Sequence, residues 1–255
     1  MKPVENNKKI GLALGGGAVL GAAHVGVLKA LEEFEIKVSF VAGTSIGAFI
    51  GALIAFGKNS EEIEEIVKEL NWLDISSVSL SQYGLLSNKK LGNVINECIG
   101  KTDMTSAEIP LAMVATDITS GQRVILKDGN VASAVMASTC IPGIFVPVEM
   151  KDKLLVDGGI VENVPVSVLK DMGADIIIGV DLNSKLRQSK PRNIIEVLLR
   201  SFDLTLQAAT KLQVEQADFL IAPDLSNFNM INIKQVPDLI EKGYEEATKI
   251  LKELG

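Results

Sequence analysis

Three glycine-rich segments hold the residues best suited to chemistry: Gly15-Gly16-Gly17-Ala18-Val19-Leu20-Gly21, Gly43-Thr44-Ser45-Ile46-Gly47 and Asp157-Gly158-Gly159. The middle segment follows a β-prone run, Val38 to Ala42, and precedes an apolar helical stretch, Ala48 to Phe56. Strand, G-x-S-x-G, helix is the context of a nucleophile elbow. Gly43 and Gly47 would let the turn close without a Cβ clash. Ser45 would then stand at a helix N-terminus, where free amides and the dipole favour developing negative charge. The pentapeptide alone is equally compatible with a strand-to-helix turn in which Ser45 is only a cap.

A serine that attacks an acyl carbon needs a proton acceptor and donors for the oxyanion. Backbone N–H groups of Gly15, Gly16, Gly17 and Ala18 could supply the donors, with Gly16 and Gly17 foremost. The same loop loosely matches a dinucleotide fingerprint. That reading requires an acid near the end of the second strand, where this chain has Ala42-Gly43-Thr44. The only histidine, His24, precedes the serine, so a Ser-Asp-His chain order is excluded and His24 reads as structural. The acceptor is then expected to be a carboxylate. Asp157 is the best placed, after the extended run Leu154-Leu155-Val156 and before two glycines. Burial would raise its pKa and make it a better base. A turn aspartate bonded to its own backbone is the competing reading.

The elements around these residues alternate. Strands are expected at 10–14, 38–42, 111–116, 122–126, 176–180 and 219–222, with a hairpin over 148–156 turning at Asp152. Helices are expected at 22–34, 46–56, 61–70, 91–99, 131–138, 165–172, 193–217 and 237–254. Asn59 and Glu62 have the spacing of a capping box. Ile141 to Pro147 holds two prolines and is no regular helix, and the stretch 72–90 reads as a connector or a lid. Hydrophobic residues make up 47% of the 255 residues but aromatics only 4%. That aliphatic composition suits a parallel sheet covered on both faces. The expected fold is therefore α/β, with a mostly parallel central sheet, in one domain spanning 1–255.

Composition also narrows the function. A net charge of −7 without a basic stripe argues against nucleic-acid binding. Leu182 to Arg192 is the only locally basic stretch and reads as a solvated loop. Cys98 and Cys140 lack metal-ligand spacing, so no metal is expected and both read as buried thiols in a reducing compartment. The apolar run from Ile10 to Ala23 is broken by glycines, against a secretory signal.

Taken together, the three segments resemble the signatures of patatin-like phospholipases. Ala22-Ala23-His24-Val25-Gly26-Val27-Leu28, Ala115-Thr116-Asp117 and Ile141-Pro142-Gly143-Ile144-Phe145 are similar to bacterial members too. The resemblance implies a three-layer α/β/α sandwich and a Ser-Asp dyad lipid acyl hydrolase. Ser45 would be nucleophile and Asp157 base, the glycine loop the oxyanion hole, and Gly43, Gly47, Gly158 and Gly159 the supporting positions. The reaction would pass through an acyl-serine and require no cofactor and no metal. One departure is that Val19 and Leu20 stand where the family usually carries Arg or Lys, leaving only backbone donors. The expected partner is a lipid or acyl-ester substrate, with transient peripheral membrane contact and a cytoplasmic location. A carboxylesterase or thioesterase on non-membrane substrates, and a catalytically weak lipid-binding protein, are the alternatives.

Overall fold

The computed structural model describes residues 8–70, 77–78 (backbone only), 84–185 and 190–253. Five strands run parallel at the centre of an eight-stranded sheet. In spatial order they are β11 (Phe219–Ile221), β10 (Ile176–Val180), β1 (Ile10–Leu14), β2 (Val38–Thr44) and β5 (Leu111–Asp117). The other three strands pair antiparallel. β6 (Gln122–Leu126) and β9 (Lys153–Asp157) both pair antiparallel with β5, and β8 (Val148–Met150) closes the edge on β9. The β8–β9 turn puts Lys151 and Asp152 at φ 50° and 61°, the two positive angles that a tight hairpin demands. A second, small sheet joins β3 (Ser77–Val78), β4 (Gly84–Ser87) and β7 (Gly143–Phe145). The proline-bearing stretch 141–147 is thus partly a strand. Trp72 and most of the expected connector or lid lie outside the described residues.

Alternation along each strand builds the layers. Leu12, Leu14, Val41, Met113, Ile178 and Val180 face one way. They meet α1 (Ala22–Glu33), α2 (Ile46–Ala55) and α8 (Val236–Leu251). Ala13, Ala42, Ala112 and Ile177 face the other way, toward α6 (Val166–Met172). Gly179, Ala13, Ala42 and Ala112 stand in register across four strands. This row of small side chains lets α6 lie close against the sheet. Helices on both faces make the expected three-layer α/β/α sandwich.

The same logic sets α8 on α1. A Cβ on Gly26 would lie 1.9 Å from the Ile240 carbonyl oxygen, and one on Gly243 would lie 1.9 Å from that of Ala23. The two backbones touch, so neither position admits a side chain. α3 (Ser60–Glu69) starts with the expected capping box: Asn59 Oδ1 accepts from Glu62 N, and Asn59 N donates to Glu62 Oε2. Such a cap contributes about 1 kcal/mol. α4 (Lys89–Ile99) and α5 (Val131–Ser138) complete the side holding α1 and α2, and α7 (Ile194–Val214) packs beside α6.

Candidate active site

Ser45 follows the last residue of β2 and caps α2 with φ 55° and ψ −125°. That left-handed angle is costly for a residue with a Cβ, by about 1–3 kcal/mol. Its neighbours make it attainable. A Cβ on Gly43 would lie 2.3 Å from the Gly47 carbonyl oxygen, and one on Gly47 would lie 2.1 Å from that of Leu14. The elbow thus closes tightly on itself and packs against the end of β1, with no room for a Cβ at either glycine. Ser138, at the end of α5, accepts the Ser45 N–H at 2.9 Å while its hydroxyl donates to the Val114 carbonyl at 2.7 Å.

Strand register brings the aspartate to the serine. Thr44 is opposite Val114, and Ala115, the next residue of β5, is opposite Asp157. Because 113–117 of β5 pair β6 on its other edge, β9 lies on the same edge of β5 as β2, just past the end of β2, and Asp157 comes down beside Ser45. The antiparallel return of β9 delivers the carboxyl from the far part of the chain. Gly158 makes this fit possible, since a Cβ there would lie 2.2 Å from the Val114 carbonyl oxygen.

Asp157 is completely buried, and burial pushes its pKa from 3.8 up to about 7. Hydrogen bonding from the Ser45 side chain and from the Gly159 N–H, at 2.9 Å to Oδ1, opposes that rise. Oδ2 accepts no hydrogen bond, although the Ser45 side chain is close enough to the carboxyl to favour its charged form. Pairs of this kind commonly tighten when substrate arrives.

The glycine loop sits against the serine, with a Cβ on Gly16 only 3.0 Å from Ser45 Cβ. Here two expected donors need correction. Gly15 N–H is bonded to the Val180 carbonyl, and Gly16 N–H is bonded to Asn163 Oδ1 at 3.0 Å. The first extends the β1–β10 ladder and the second is an anchor, so neither faces an incoming oxyanion. Among the described residues, Gly17 N–H and Ala18 N–H have no acceptor. Ala18 has φ 53°, a second strained angle beside the first.

Three buried side chains that no motif marks hold this loop and the elbow. Asn163 Oδ1 takes the Gly16 N–H, and its Nδ2 donates to Thr210 Oγ1 at 3.1 Å. Asn183 Nδ2 donates to the Gly16 carbonyl at 2.7 Å. Ser138, already described, holds the elbow. His24 joins them, with Nε2 2.8 Å from the Gly15 carbonyl. Burial drives its pKa down to about 4, so the imidazole is neutral and Nε2 carries the donated proton. Among the described residues, no three His, Cys, Asp or Glu side chains cluster to hold a metal.

Beside the loop lies an apolar cavity of about 230 Å³, lined by Ala18, Leu86, Ile144, Phe145, Leu199 and Met230 among others.

The sequence matches the family described as patatin-like phospholipase over residues 12–170. This chain belongs to the patatin-like phospholipase family. An uncharacterized NTE family protein of Mycobacterium tuberculosis is 33% identical over 202 residues, covering 76% of this chain and 56% of the relative. The neuropathy target esterase sws of Drosophila melanogaster is 34% identical over 184 residues, covering 69% of this chain and 13% of the relative. This patatin-like chain thus spans about half, or much less, of the curated relatives' length. Among solved structures, VipD from Legionella pneumophila aligns with a TM-score of 0.66 at 13% identity, covering 99% of this chain and 69% of that one. The type III effector ExoU aligns at 0.53 and 16% identity, covering 97% and 53%. At these identities the two structures speak to the fold, an α/β sandwich.

Proposed function

We propose that this patatin-like chain hydrolyses acyl esters of lipids with Ser45 as nucleophile and Asp157 as base. The observation that carries the reading is the completely buried Asp157 carboxyl beside the strained Ser45, with one oxygen lacking a tight partner. Ser45 Oγ attacks the ester carbonyl carbon, and its proton passes to Asp157 Oδ2. The carbonyl π pair moves onto oxygen, where the Gly17 and Ala18 N–H groups and the N-terminus of α2 stabilise it. Collapse breaks the bond to the leaving alkoxide, which takes the proton from Asp157. Water then attacks the acyl-serine by the same route, releasing the fatty acid and restoring Ser45.

The cavity supports an acyl substrate. Its walls are apolar and Ala18, one proposed oxyanion donor, is part of them. At about 230 Å³ it is smaller than the roughly 300–1,000 Å³ of pockets that enclose a drug-sized ligand. One acyl chain fits this scale, so the rest of a phospholipid or lysophospholipid would stay outside. Charge assistance from the loop is lacking, because Val19 and Leu20 are buried apolar residues.

The test is mass spectrometry of the intact protein after a fluorophosphonate probe, paired with ester turnover. One adduct on Ser45 is expected, absent in Ser45→Ala and strongly slowed in Asp157→Asn. Wild-type turnover by Ser45→Ala, or an adduct elsewhere, refutes the assignment.

A further inference from the structure

α7 carries an apolar stripe that nothing in the fold covers. Its inner face buries Leu199, Asp203, Leu206 and Thr210. Its outer face presents Ile194, Val197, Ser201, Leu204, Ala208 and Leu212, spaced by three and four residues on one side of the helix. Ile194 is 64% exposed and Leu212 70% exposed. Five of the exposed large hydrophobic residues among the described ones belong to this helix. Single exposed apolar residues are ordinary, but a stripe along 21 residues, about 30 Å, is a docking surface.

Two observations select what it docks on. First, the stripe is continuous with the mouth of the acyl-sized cavity. Asn193, the cap of α7, Ile195 and the exposed Ile231 all line that cavity. Second, the charges beside the stripe are mainly basic in a chain of net charge −7. Lys190 and Arg192 are exposed just before the helix, and Lys211 is exposed near its end. Of the carboxylates, buried Asp203 pairs with Arg200, while Glu196, which accepts the backbone N–H of Arg192, and Glu215 at the far end keep their charge, so three cations stand against two anions. An apolar face edged by Lys and Arg is the pattern of a helix lying in a lipid interface.

We infer that α7 is the membrane-docking helix of this protein, seating its outer face in an anionic bilayer so that an acyl chain passes from the lipid into the adjacent cavity. The inference rests on the proposed lipid hydrolysis, and it adds the surface through which substrate is met. No helix among the described residues is long and apolar enough to cross a membrane, so contact through α7 is interfacial.

The test uses co-sedimentation with phosphatidylcholine vesicles, with and without phosphatidylglycerol, in a Ser45→Ala background that leaves the lipid intact. The parent should sediment with the mixed vesicles. Ile194→Gln, Val197→Gln and Leu204→Gln together should weaken that binding by about tenfold or more. Lys190→Ala with Arg192→Ala should remove the preference for phosphatidylglycerol. In the active chain the triple Gln variant should hydrolyse a monomeric butyrate ester within about twofold of wild type, since none of the three residues lines the cavity. A parent that ignores both vesicles, or a triple variant that binds as well as the parent, overturns the inference. So does a parent that is dimeric by size exclusion and made monomeric by the triple variant, because the stripe would then seat a second copy. Vesicle binding lost in the triple variant, with no ester hydrolysed by wild type, refutes the catalytic reading and upholds the docking helix.

Discussion

Asp157→Asn should make the protein more stable while disabling it. Burial raises the carboxyl from 3.8 to about 7, which at 1.36 kcal/mol per tenfold step is about 4 kcal/mol. The sign follows from proton linkage. Between those pH values the folded state holds a proton that the unfolded chain has released. Stability from this group is therefore fully present below about pH 4, and is lost as pH rises through about 7. Asparagine never ionises, and its Oδ1 can still accept the Gly159 N–H. Urea melts of wild type and Asp157→Asn should accordingly differ little near pH 4 and by as much as about 4 kcal/mol at pH 8, in favour of the variant. Turnover should fall by about 10²- to 10⁴-fold, the usual range for losing a general base. Wild-type kcat/KM should drop below about pH 7 as Asp157 protonates. A variant that is less stable than wild type at pH 8, or a stability difference independent of pH, would refute both the burial argument and the base it supports.

Three further outcomes are expected. Asn163→Ala removes the acceptor of the Gly16 N–H and should lower kcat by about 10²-fold with KM little changed, because it disturbs the donors of the oxyanion rather than the cavity. Steady-state kinetics on a monomeric ester reads the split. His24→Gln should remove the loss of stability that neutral, buried His24 imposes as pH falls from 6.5 to about 4, so that the variant gains stability over that range relative to wild type in urea melts. Cys140, pushed up to about 12 by burial and by Asp157, should resist iodoacetamide in the folded protein and react only on denaturation.

Much of the candidate site was legible because its tight turns demand glycine. At Gly43, Gly47 and Gly158 the neighbouring backbone leaves no room for a Cβ, so the positions announce themselves in the chain. The strands and helices were legible through period, and their ends moved by one or two residues, as at β2, which runs on to Thr44. What the chain hid were contacts between distant polar residues. Asn163 stands among Val161, Val164 and Val166 like any loop asparagine, and only folding puts its amide between Gly16 and Thr210. Asn183 and Ser138 are hidden for the same reason. The choice of donors within the glycine loop was also invisible. It depends on which N–H groups β10 and Asn163 engage, and four successive small residues look alike in sequence. Asp157 could be picked out by its glycines, but its nearness to Ser45 depends on the β5–β9 register, which no local pattern encodes.

His24 bonds the glycine loop and Asp157 stands beside the elbow, and their titrations oppose each other. The folded protein resists protonating His24 until about pH 4, whereas the unfolded chain takes that proton near 6.5. Stability from this group is lost as pH falls through that range, by about 3 kcal/mol. Asp157 contributes about 4 kcal/mol in the other direction over nearly the same range. The two nearly cancel, so these groups together leave wild-type stability almost level between about pH 4 and 7. Each single variant exposes the other member: Asp157→Asn should weaken in acid, and His24→Gln should strengthen. The proposed base thus sits in a site that tolerates acid, because a second buried group, which takes no part in the proposed proton transfers, shifts stability by a similar amount with the opposite sign.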